Sequence, residues 1–114
     1  MENKELNKLL LDNIIIRNHE VENVEWSIKG LRFLKLRDIL IVKGKIAYED
    51  LENQVYIAII NGGWFKRNRA YTAFHLSNDK LKIAITADEG LFNQHTCKGV
   101  LNELRKSLEK YINE

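Results

Sequence analysis

Asp88 and Glu89 stand seven and six positions before His95, close enough for a loop to bring a carboxylate beside an imidazole. That pairing is what general acid–base work, or a carboxylate metal site, would require. The same two anions precede a strongly apolar periodicity that begins near Cys97. Anions just ahead of a helix are stabilised by its macrodipole, so a structural role is the simpler expectation. His19, His75 and His95 are far apart in sequence, and His95-Thr96-Cys97 is too short a pattern to specify a metal. Cys97 falls on the apolar stripe and reads as a buried thiol. As the lone cysteine it excludes an internal disulfide or a cysteine-based zinc site. The chain holds no Gly-rich phosphate loop in a strand-to-helix setting, no Gly-x-Ser-x-Gly and no paired-histidine motif. The sequence therefore reads as a non-enzymatic chain, without cofactor or metal.

Binding chemistry is concentrated elsewhere. Asn61 to His75, NGGWFKRNRAYTAFH, sets four aromatics and three Lys or Arg cations behind a pair of glycines. One reading makes it a protein-recognition surface, because Trp, Tyr and Arg are the residue types in which interface energy concentrates. Trp64 and Phe65 would stand at a hairpin tip, and Lys66, Arg67 and Arg69 would steer an acidic partner. Tyr56, Tyr71, His75, Lys80 and Lys82 would extend the contact over the outer sheet face. An inhibitor, immunity protein or regulatory adaptor fits that description. The alternative is a stacking platform for single-stranded nucleic acid, built from Tyr56, Tyr71, Trp64 and Phe65 within the same cations. Residues 26 to 48 carry six cations and one anion, which favours this alternative, but the net charge of only +2 opposes it. A third reading returns Trp64 and Phe65 to the core and leaves the cations as a solvated turn. A small apolar molecule held between the sheet and the C-terminal helix is a further option.

The elements that must position these residues follow from periodicity. Leu6, Leu9, Leu10 and Ile14 share a helical face and predict a first helix over residues 3 to 16. Val24, Trp26 and Ile28 alternate with polar residues as a half-buried strand does. Gly30 marks a turn, and residues 31 to 36 read as a short strand or a continuation. Leu40, Val42, Gly44, Ile46 and Tyr48 predict the next strand. Val55 to Ile60 lead into Asn61-Gly62, the pair favoured in two-residue hairpins. Residues 70 to 76 and 80 to 87 complete an antiparallel meander of five or six strands. Cys97, Leu101, Leu104, Leu108 and Tyr111 recur every three or four residues, giving a long amphipathic helix with Asn93 or Thr96 at its start. The expectation is one α+β domain over 1–114, with a helix from each end packed on the sheet. Placing Ile57, Ile59, Val42, Ile46, Phe74, Leu81 and Ile83 toward the C-terminal helix leaves Tyr56, Tyr71, His75, Lys80, Lys82 and several alanines outward. Either the N-terminal helix or a partner must cover those alanines.

Composition bounds the rest. With 45% hydrophobic and 30% charged residues the chain has an ordinary globular balance. No apolar run reaches the roughly 18 residues of a membrane span, and the first residues lack the basic-then-apolar order of a signal peptide. A cytoplasmic protein is expected. Ile, Asn and Lys supply 37 of 114 residues and proline is absent, as in an AT-rich bacterial, phage or mobile-element gene.

Overall fold

A computed structural model describes residues 1–15, 20–89 and 95–112. Its elements run α1 (Asn3–Asp12), β1 (Glu22–Ser27), α2 (Phe33–Lys43), β2 (Gly44–Asp50), β3 (Val55–Gly62), β4 (Asn68–Ser77), β5 (Lys80–Ala87) and α3 (Thr96–Ile112). The five strands form one antiparallel sheet in the order β1-β5-β4-β3-β2. The fold is α+β, as expected, with a helix near each end of the chain packed on the sheet.

The helices divide between the two faces. On one, α2 and α3 bury Leu36, Leu40, Val100, Leu104 and Leu108 against Tyr56, Phe74, Leu81, Ile83 and Ile85. On the other, α1 sets Leu6 and Leu10 on Ile57, Tyr71, Ala73 and Ala84. Of the alanines expected on the outer face (Ala47, Ala58, Ala73 and Ala84), Ala58 belongs to the opposite face, whereas Ala73 and Ala84 are the seat of the N-terminal helix. Their small side chains let the helix approach the strands closely. α1 stops earlier than residue 16 because Asn13 donates its side-chain amide to the Leu9 carbonyl at 2.8 Å, and its backbone N–H bonds to Leu10. Such local bonding by Asn competes with helix propagation.

Two expectations need correction. Residues 33 to 43 are helical, whereas the alternation around Leu40 and Val42 had suggested a strand. The α2 helix is apolar on nearly every side, so it lacks the one-sided stripe by which a helix is recognised in sequence. It enters β2 without a loop, through Gly44, where an added Cβ would overlap the Ile59 carbonyl oxygen. The second correction concerns β3, whose orientation is inverted relative to the expectation. Tyr56 lies opposite Phe74 and Ala58 opposite Thr72, so both face α2 and α3, while Ile57 and Ile59 turn to the α1 face. A one-residue error of phase exchanges every side chain between faces.

Candidate functional site

The residues singled out for binding do not form one surface. β4 carries the basic tip at its start and His75 near its end, and Arg69 is separated from His75 by about 20 Å at strand spacing. Between them Tyr71 is buried beneath α1. Tyr56 is fully buried on the other face, its ring stacked on Phe33 at a centroid distance of 3.9 Å and its hydroxyl donating to the Phe33 carbonyl at 2.9 Å. Neither tyrosine presents a ring for stacking. Burial, with the Glu49 carboxylate adding to it, pushes the Tyr56 phenol up to about 12.

At the tip, Asn61 and Gly62 stay in the ladder opposite Arg69 and Asn68, so the chain does not turn on them. Reversal occurs one step later. Gly63 takes φ 72°, Trp64–Lys66 form a single 3-10 turn, and Lys66 itself adopts φ 54°. The turn is closed by the Lys66 N–H on Gly63 and the Arg67 N–H on Trp64. This brings Trp64, 59% exposed, together with exposed Lys66, Arg67 and Arg69. The Phe65 side chain lies outside the described part of the structure. Trp26 offers a contrast: it is partly buried, with the Arg105 guanidinium 5.2 Å from its ring centroid.

Beside the tip is a cleft of about 220 Å³ whose far wall is the first turns of α3, with His95, Gly99 and Glu103 facing Trp64 and Lys66. The start of α3 is held against the tip by packing and by capping. Gly62 has no side chain where Val100 and Thr96 press closest. Glu89 accepts the Thr96 N–H at 2.8 Å and its hydroxyl at 3.0 Å, and the Asn68 amide donates to that same hydroxyl oxygen at 3.0 Å. Glu89 therefore serves the N-terminus of α3, the structural one of its two expected roles. Thr96 is the residue being capped rather than the cap. Asn93 and His19 lie outside the described residues. Among the described residues no group of three or more His, Cys, Asp or Glu side chains is placed to hold a metal ion.

No family model, curated protein or solved structure matches this chain. Its surfaces are the remaining guide to function. One of these escaped the sequence reading. Leu34, Ile41 and Val42 project from α2 away from the core, Val42 being 83% exposed. The signal was present in the apolar residues on both sides of residues 33 to 43, but a strand assignment pairs them off between two sheet faces. Gly44 lies opposite Ile60, three residues before Gly63, so the C-terminal end of α2 and the tip share one end of the sheet, about 11 Å apart by strand geometry. Lys43 and Lys45 join the tip's cations there. Among the described residues no helix is long and apolar enough to cross a membrane.

Cys97 is half-buried, and burial, reinforced by the Glu22 and Glu89 carboxylates, pushes its thiol up to about 12. The thiolate is the reactive form. Alkylation of the native protein by iodoacetamide at pH 8 is expected to run at least about a hundredfold slower than that of free cysteine. Mass spectrometry with and without denaturant checks this, and comparable rates in the two states would remove Cys97 from the packed interior.

Proposed function

We propose that this chain is a non-enzymatic binding protein that takes an acidic protein partner at the tip formed by Trp64, Lys66, Arg67 and Arg69. The observation that carries the reading is the Trp64 ring, more than half exposed on a tight turn among cations. Exposed aromatic surface of this size is where binding energy concentrates when a partner's pocket covers it. The apolar end of α2 supports a protein as that partner, since Ile41 and Val42 would have little to gain from a polyanion. An inhibitor, immunity or regulatory adaptor role in the cytosol suits a surface of this kind. The nucleic-acid alternative is weakened by the burial of Tyr56 and Tyr71, which removes two rings of its platform.

The test is comparative affinity capture from the source cell and its host, using wild type, Trp64→Ala and Arg67→Glu with Arg69→Glu as baits. One dominant partner is expected with wild type and lost with both variants, while thermal midpoints stay within about 2 °C, as for surface changes. Retention of that partner by both variants would refute the tip as the contact. A fall of many degrees for Trp64→Ala would show that the ring belongs to the core. Titration with a mixed-sequence single-stranded oligonucleotide at low salt is the accompanying control. Steeply salt-dependent binding lost in the Arg67, Arg69 variant would replace the protein partner with nucleic acid.

A further inference from the structure

The α1 face of the sheet continues past the first turn of α1 into a cleft of about 350 Å³, remote from the tip. The strand register composes its floor. His75 lies opposite Lys82 and Ser77 opposite Lys80, and the alternation of the strands sends all four side chains to the α1 face. Cross-strand neighbours of this kind have Cβ atoms about 5 Å apart. One small ligand can therefore touch an imidazole, a hydroxyl and two ammonium groups at once.

These groups are unusually short of partners. The ion pairs among the described residues involve neither Lys80 nor Lys82. Lys82 donates to the Met1 carbonyl at 2.9 Å, a neutral acceptor, and its cross-strand neighbour Glu25 forms no ion pair with it. His75, half-buried, has no hydrogen-bond partner among the described residues. Glu25 also lines the cleft, but it sits opposite Lys82 on β1, two strand spacings from His75, so the space over His75, Ser77 and Lys80 is not its own. Burial lowers the His75 pKa, the Met1 ammonium and Lys82 add to the effect, and Glu5 from α1 opposes it. Lys80 and Glu25 are the remaining charged groups at the cleft. The local field at the imidazole is thus net positive, as a waiting anion site requires.

We propose that this cleft binds the phosphate group of a small phosphate monoester, held by Lys80 and Lys82 with Ser77 and His75 as additional hydrogen-bond donors. A tetrahedral oxyanion offers acceptors in several directions, matching donors that rise from two adjacent strands. The cleft's volume exceeds that of a bare phosphate and leaves room for a small organic group.

The test follows the His75 ring resonances by NMR at constant ionic strength, adding inorganic phosphate in one arm and glycerol 3-phosphate in the other, with chloride as reference. Saturable shifts are expected with either phosphate, together with an upward movement of the His75 pKa, while the His95 resonances stay in place. Tighter binding of the ester identifies the organic group as part of the recognised ligand. Tighter binding of inorganic phosphate would overturn the monoester. Lys82→Met, which keeps the aliphatic stem, should weaken binding roughly tenfold or more, as loss of a charge-assisted contact does. Shifts that never saturate and are matched by chloride would overturn the site, as would unchanged affinity in folded Lys82→Met.

Discussion

Gly44→Ala is expected to cost about 3 kcal/mol or more, because the added methyl would press into the backbone of β3 and not into a side chain that can rotate aside. Gly44 has an extended φ of −169°, so the cost is steric and owes nothing to a left-handed conformation. The junction cannot yield easily, since α2 ends and β2 begins without an intervening loop, and Gly44 is itself paired with Ile60. Relief would require moving β2 off β3 or lifting the last turn of α2, which unseats Leu40. Denaturant titration of wild type and variant measures the loss. A change below about 1 kcal/mol would mean that the junction adjusts more readily than its geometry implies.

Tyr56→Ala is the second change of large effect, with about 3 to 5 kcal/mol expected for removing a wholly buried aromatic. The variant deletes the ring stacked on Phe33 and the hydroxyl that meets the Phe33 carbonyl, both of which anchor the first turn of α2 to the sheet. Tyr56→Phe separates the two contributions. It keeps the ring and should cost about 1 kcal/mol, the net worth of one hydrogen bond. The raised phenol pKa adds a pH signature. The folded state holds the proton more tightly than the unfolded chain, whose tyrosine titrates near 10. The associated stability is complete below that pH and is lost as pH rises toward about 12. Denaturant midpoints across this window should fall more steeply for wild type than for Tyr56→Phe. Equal slopes would place the phenol in contact with water.

These two residues also mark where sequence reasoning stopped. The segment from Thr96 to Ile112 was legible because it sets polar residues against apolar ones in a definite phase. β4 and β5 are, like β3, buried on both faces over most of their length, and their phase was legible from the polar residues near one end of each, His75 on β4 and Lys80 and Lys82 on β5. β3 offered no such contrast. Val55 to Ala58 are buried on both sides, and a strand covered by helices on each face reads as a continuous apolar run whose phase is undetermined. Tyr56 was consequently turned outward and Ile57 inward. α2 failed for a related reason, since Leu34, Ile41 and Val42 on its outer side cancel the stripe formed by Phe33, Leu36 and Leu40. Of the candidate site, the cations and Trp64 at the tip were visible in the residue types alone. The division of that surface was not, because it depends on α1 coming to rest across the middle of β4 and β5.

The order β1-β5-β4-β3-β2 also shapes the route by which the protein folds. Strands β2 to β5 each pair with their neighbour in sequence, so three successive hairpins can zip together at small cost in loop entropy. β1 has no such shortcut. Trp26 meets Leu81 only after almost half the chain has been organised between them. The outermost strand beside β5 therefore carries the largest loop-closure cost of any strand in the sheet. In an amide-exchange measurement the two edge strands, β1 and β2, are expected to exchange faster than β3, β4 and β5 at the centre of the sheet.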